Sequence, residues 1–134
     1  MATAEVTGTL RVLLVDDDDQ LTDMYRIYLI AHGYSVITAR CGEDALALAL
    51  EESPDVIFLD LGLPGIGGLE VLERLRAHAA TAAIPVVVLS NYSEPQLVAQ
   101  SLRLGAREFL VKAHTTPADL TATTLRLISE ELPA

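Results

Sequence analysis

Four short apolar runs punctuate the chain, and each stops at a hydrophilic residue. Val12-Leu13-Leu14-Val15 ends on Asp16-Asp17, Val56-Ile57-Phe58-Leu59 on Asp60, Val86-Val87-Val88-Leu89 on Ser90, and Phe109-Leu110-Val111 on Lys112. Unbroken runs of this length predict strands of a parallel sheet buried on both faces. A further strand is predicted at Ser35-Val36-Ile37-Thr38-Ala39. Between the strands, apolar residues recur at helical spacing. Leu21, Met24, Tyr25, Tyr28 and Leu29 mark a first helix closed by Gly33, with Tyr25 and Tyr28 expected in the core. After a turn at Gly42, Ala45, Leu46, Ala49 and Leu50 mark a second, ended by Ser53-Pro54-Asp55. Leu69, Leu72 and Leu75 mark a third, beyond a glycine-rich loop over residues 62–68. Ser93-Glu94-Pro95-Gln96 resembles a capping box opening a fourth helix, which Gly105 closes. Thr116-Pro117-Ala118-Asp119 opens a fifth with Thr at the N-cap, and its Leu120, Thr124, Leu127 and Ile128 should face inward. Five βα units in succession predict an α/β domain built on a doubly wound five-stranded parallel sheet.

In such sheets ligands bind outside the carboxyl ends of the strands, which is where Asp16, Asp17, Asp60, Ser90 and Lys112 should converge. Composition narrows the ligand. The 134 residues are 51% hydrophobic and 21% charged, a globular balance, and the formal charge of −10 disfavours nucleic acid and anionic membrane surfaces. Cys41 is alone, so no internal disulfide can form and a reducing cytoplasm is the expected setting. No segment reaches the roughly 18–20 apolar residues of a membrane span. Residues 1–9 read as a mostly polar, flexible tail without the features of a signal peptide.

Carboxylates gathered on one rim repel by about 4 kcal/mol per pair at ~4 Å and an effective dielectric of ~20, so they must take up protons or a cation. An all-oxygen donor set without His or Cys favours a hard ion, Mg²⁺ above all. Asp60 then suits a nucleophile that carries a phosphoryl group as an acyl phosphate, with Lys112 neutralising its oxygens and Ser90 donating a hydrogen bond. Asp18 and Asp19 better suit the positive end of the first helix. His32, His78 and His114 are scattered, and neither a zinc site nor a catalytic triad is expected.

Taken in order, Val15-Asp16-Asp17, Leu59-Asp60, Leu63-Pro64, Gly68, Leu89-Ser90 and Lys112, with Gly105-Ala106 and Phe109, resemble the receiver domain of two-component response regulators. The likeness is to the single-domain, chemotaxis type and covers residues 10–132. It implies a (βα)5 domain with the flavodoxin-like strand order 2-1-3-4-5. It implies phosphorylation of Asp60 by a histidine kinase or histidine phosphotransfer protein. Mg²⁺ (or Mn²⁺) would be held by Asp17, Asp60 and the Gly62 backbone carbonyl, with Asp16 acting through water. Ser90 and Phe109 would move together as a switch that reshapes the helix 4–strand 5–helix 5 face, and the domain would catalyse its own phosphoryl uptake and hydrolysis. No output domain is expected, so signalling would pass to an unidentified downstream protein, onward to a histidine, or through dimerisation of a monomer or weak dimer.

The chain departs from that family's pattern in several places. The usual Met-Pro-x-Met-Asp-Gly loop reads Leu63-Pro64-Gly65-Ile66-Gly67-Gly68, so Gly67 must cap the third helix. The usual Lys-Pro reads Lys112-Ala113, which predicts either a trans bond with a shifted loop or a strained cis bond. Asn91 and Tyr92 follow Ser90 where a small residue is usual, and are expected to crowd the approach to Asp60 and slow small donors and hydrolysis. Cys41 precedes Gly42 in the place of a better capping residue. Two alternatives remain. One is a pseudo-receiver, an interaction module whose pocket is unused. The other is a haloacid-dehalogenase-like phosphatase with Asp16 as nucleophile and Asp18 as acid/base, although Gln20 stands where that chemistry wants a hydroxyl.

Overall fold

A computed structural model describes residues 9–131, so the tail predicted over residues 1–9 falls almost wholly outside the described residues. Five strands alternate with five helices: β1 (Arg11–Val15), α1 (Asp19–Ala31), β2 (Ser35–Ala39), α2 (Gly42–Glu52), β3 (Val56–Leu59), α3 (Gly68–Ala77), β4 (Val86–Ser90), α4 (Pro95–Arg103), β5 (Glu108–Val111) and α5 (Pro117–Glu131). Neighbouring strands are all parallel, in the order β2-β1-β3-β4-β5. The chain winds outward from β1 to β2, then crosses back to β3 and on to β5. The two directions part between β1 and β3, which opens a crevice at their carboxyl ends.

In β1, β3 and β4 the unbroken apolar runs are explained by burial on both faces, whereas the run of β5, at the sheet edge, is only half-buried. Side chains alternate across a strand, so Val12 and Leu14, Val56 and Phe58, and Val87 and Leu89 pack with Tyr25 and Leu29 of α1 and Leu120 and Leu127 of α5. The intervening Leu13, Val15, Ile57, Leu59, Val86 and Val88 meet Ala45 and Ala49 of α2 and Val71, Leu72 and Leu75 of α3. Each fully buried aliphatic side chain contributes about 1.5–3 kcal/mol, so register is strongly fixed, because a one-residue slip would exchange the two faces. Val15 lies level with both Ala39 and Leu59, and Ser90 with Val111. The residues that end the strands therefore share one rim.

Helix ends follow local chemistry. Asp18 caps α1 by accepting the Leu21 N–H at 3.1 Å, and Gly33 follows that helix at φ +93°. Gly67 occupies the N-cap of α3, as the loop sequence requires. Thr116 and Asp119 cap α5 reciprocally: each side chain accepts the other residue's backbone N–H, at 3.2 and 2.8 Å. At the far end of the sheet from the rim, the half-buried Arg76 guanidinium donates to the carbonyls of Gly105, Ala82 and Ile84 at 2.8–3.2 Å, tying α3 to the strand starts of β4 and β5.

Some expectations need correction. Ser93 does not cap α4; Glu94 holds the N-cap without a side-chain bond, because Pro95 at the first helical position fixes the start one residue later. Gly42 is the buried first residue of α2 rather than a preceding turn, and a Cβ there would lie 2.5 Å from Ile66 Cγ1. Met24 and Leu50 are both 45% exposed. Tyr28 is only half-buried and stacks its ring on His32, with centroids 4.0 Å apart. These residues flank the buried stripes, where a helix lying on a sheet curves away from it.

Candidate functional site

The rim is assembled by backbone pairing before any side chain is considered. The Asp16 N–H donates to the Ala39 carbonyl at 3.0 Å and the Asp60 N–H to the Val15 carbonyl at 2.9 Å, so the last ladder bonds of β1 and β3 hold the two aspartates side by side. Both are buried, at 7% and 5% exposure, whereas Asp17 stands in solvent at the edge. One carboxylate oxygen from each of Asp16, Asp17 and Asp60 lies within 4.8 Å of the others. Lys112 reaches in from the end of β5, its Nζ 2.7 Å from Asp16 Oδ2 and 3.3 Å from Asp60 Oδ2. The other Asp16 oxygen accepts the Asp18 N–H at 2.9 Å.

Burial is the largest influence on Asp16 and raises its pKa; the Lys112 hydrogen bond, the Asp18 N–H and the Lys112 charge offset it in part, and the Asp60 charge adds to it. Burial alone would lower the Lys112 ammonium. Its hydrogen bond to Asp16 and the charges of Asp16 and Asp60 outweigh that and hold it above the ordinary 10.5. Three carboxylates against one ammonium leave an excess of two negative charges on a rim made only of oxygen donors. That donor set fits a hard divalent cation that keeps part of its water shell.

Ser90 is fully buried at the end of β4, and its Oγ accepts the Tyr92 N–H at 3.1 Å. Gly62, two residues past Asp60, lies under the Tyr92 ring: a Cβ there would come within 2.7 Å of Tyr92 Cε2. Tyr92 itself is 58% exposed and, with Leu61, Gly68, Leu69 and Leu97, lines an open groove of about 270 Å³ beside the rim. Phe109 is not at the site. It is half-buried in β5, opposite Val88, against the α2–α3 side of the core. Asp18 is occupied as the α1 cap rather than aimed at a substrate, which removes the acid/base that a phosphatase built on Asp16 would use.

The Lys112-Ala113 bond is trans, and Lys112–His114 forms a single 3₁₀ turn. The Ala113 N–H donates to Asn91 Oδ1 at 2.9 Å. Tyr25, buried in α1, donates its hydroxyl to the Thr115 carbonyl at 3.3 Å from the other side. Neither link has a local sequence signal, because each joins residues far apart in the chain.

Comparison with known proteins agrees with this fold. The response regulator receiver domain profile matches residues 12–124. The chain is 38% identical over 104 residues to Protein PilH of Pseudomonas aeruginosa, covering 76% of this chain and 84% of that protein. It is 43% identical over 101 residues to the transcriptional regulatory protein KdpE of Mycobacterium tuberculosis, covering 75% of this chain and 43% of that one. The chain thus spans less than half of that longer regulator. Among solved structures, a CheY-like response regulator receiver domain protein from Methanospirillum hungatei superposes with a TM-score of 0.84 at 28% identity, over 92% of this chain and 96% of that one. The chemotaxis response regulator CheY4 of Vibrio cholerae gives 0.82 at 31%, over 90% and 99%.

Proposed function

This chain belongs to the response regulator receiver domains, and from that premise we propose that it accepts a phosphoryl group on Asp60 from a histidine kinase or a histidine phosphotransfer protein. The observation that carries the reading is a buried Asp60 carboxylate 3.3 Å from the Lys112 ammonium and beside two further aspartates. A carboxylate oxygen of Asp60 attacks phosphorus, the bond from phosphorus to the donor's imidazole nitrogen breaks, and an acyl phosphate forms on Asp60. Lys112 compensates the charge of the phosphoryl oxygens, and Ser90 turns its hydroxyl from accepting the Tyr92 N–H to donating to one of them. Asp17, Asp60 and the Gly62 carbonyl would hold Mg²⁺, with Asp16 acting through water. That ion supplies charge neutralisation at the phosphoryl oxygens.

The inward turn of Ser90 and a following move of Phe109 would form the switch, a population shift that alters the α4–β5–α5 face presented to a downstream protein in the cytoplasm. Self-catalysed uptake from small donors and self-catalysed hydrolysis belong to the same proposal. Tyr92, whose ring lies over Gly62, would narrow the approach to Asp60.

Intact-mass spectrometry after incubation with Mg²⁺ and acetyl phosphate tests the reading, with Asp60→Asn and metal-free samples beside it. The expected result is a gain of one phosphoryl group that requires both the metal and Asp60. If neither acetyl phosphate nor a cognate kinase adds that mass, the domain is an interaction module with an unused pocket.

A further inference from the structure

We propose that Asn91 is a positioning residue for Lys112, acting through the backbone N–H of Ala113; its catalytic consequence rests on the function proposed above. The bond joins residues 22 apart in sequence and links the β4–α4 loop to the turn that carries the lysine. Ala113 shares a peptide plane with Lys112, so fixing that N–H fixes the plane from which the Lys112 side chain starts. The turn is anchored elsewhere too. The Thr115 N–H donates to the Lys112 carbonyl at 3.1 Å and Thr115 Oγ1 to the Val111 carbonyl at 2.7 Å. The Tyr25 hydroxyl holds the Thr115 carbonyl. The Thr115 N–H thus holds the carbonyl end of the same peptide plane, and Asn91 holds its N–H end.

The two residues make chemical sense only as a pair. A proline after Lys112 has no N–H to offer, and a small apolar residue after Ser90 has no oxygen to receive one. Two separate departures from the receiver pattern therefore form one compensated change, in which a hydrogen bond across the rim takes over the holding of the loop. Asn91 also sits between Ser90, whose Oγ accepts the Tyr92 N–H, and Tyr92, whose ring covers Gly62. Three consecutive residues thus join the β4–α4 loop to the loops that follow β3 and β5.

The test begins with unphosphorylated, metal-free protein, so that it does not depend on phosphoryl uptake. Hydrogen exchange at the Ala113 amide and the ¹⁵N resonance of the Lys112 ammonium are followed by NMR in wild type, Asn91→Ala and Asn91→Asp. Circular dichroism confirms that each variant is folded. In Asn91→Ala the Ala113 amide should exchange about tenfold faster, the factor that one net hydrogen bond commands. The Lys112 resonance should move toward that of solvated lysines. Asn91→Asp keeps an acceptor oxygen and should restore both signals. In an Ala113→Pro background, adding Asn91→Ala should change the Lys112 resonance no further. Acetyl phosphate uptake by Asn91→Ala should then fall about tenfold, since small displacements of a positioned group have effects of that size or larger.

An unchanged Lys112 signal in Asn91→Ala, or a further change on adding it to Ala113→Pro, overturns the proposal. So does faster uptake by Asn91→Ala, which would make Asn91 an obstruction at the entrance. If the wild type gains a phosphoryl group from neither acetyl phosphate nor a cognate kinase, the proposed function fails while the Lys112 readout still decides the role of Asn91.

Discussion

Asp16 and Asp60 leave adjacent strands whose side chains are buried on both faces, and each backbone N–H is tied to the next strand. Asn91, Tyr92 and Ala113, on the other half of the same rim, are exposed loop residues joined by side-chain bonds and ring contacts. Asp16 and Asp60 fit the receiver resemblance, and Asn91, Tyr92 and Ala113 depart from it. The difference follows from physical constraint. A carboxylate placed by sheet register can move only if the core moves, whereas a loop side chain can be exchanged if a neighbour supplies the lost bond.

The sharpest way to break that contrast is Lys112→Met, because Lys112 comes from the variable half yet bonds to both buried aspartates. Phosphoryl uptake measured by intact mass should fall about 10²–10³-fold, the usual loss of one preorganised charge-stabilising group. The same variant carries a pH signature. The folded protein holds Lys112 above its ordinary 10.5, so the stabilisation is complete below that value and is lost as pH rises through the folded-state value. Urea unfolding followed across alkaline pH should show this loss in the wild type and not in Lys112→Met. Asp16 works in the opposite sense from a carboxylate stabilised by a salt bridge. Burial raises it above 3.8, so the folded state binds more protons than the unfolded state just above that pH, and stability falls as pH rises through the window.

Two glycine substitutions sharpen the comparison at the level of stability. A Cβ on Gly68 would lie 2.5 Å from the Asp60 carbonyl oxygen and 2.6 Å from Leu61 Cα, both backbone atoms of the acceptor loop. Gly68→Ala should cost about 2–3 kcal/mol in urea unfolding, since overpacking here cannot be relieved by a side chain. Gly62→Ala meets only the exposed Tyr92 ring, which can swing aside, and should stay within about 0.5 kcal/mol. Equal costs would mean that the two halves are equally rigid. The smallest effect belongs to Tyr92→Ala, which should leave stability unchanged within about 0.5 kcal/mol and raise the acetyl phosphate uptake rate only several-fold. A slower rate would show that the ring assists the reaction instead of screening it.

The rim aspartates and Ser90 could be read from sequence because the runs before them are strands buried on both faces, and Lys112 because the half-buried run of β5 ends in register with them. The Thr116–Asp119 cap was legible for a similar reason, since its geometry is local. Ser93 misled because proline's fixed φ outranks a hydroxyl as a start signal for α4. Met24, Tyr28 and Leu50 misled because periodicity gives the direction of a helix's buried face and not its width. The Asn91–Ala113 bond lay beyond reach, because no local pattern relates residues that meet only after β4 and β5 have paired.

Arg76 has a consequence for how the domain responds to ionic strength. Its guanidinium is satisfied by backbone carbonyls, which carry no charge that mobile ions can screen. The exposed pair Arg74–Glu70, by contrast, weakens as electrolyte is added. Concentrated salt therefore loosens the helix surfaces while leaving the base of β4 and β5 fastened. The sheet keeps one end fixed under conditions that soften its surroundings.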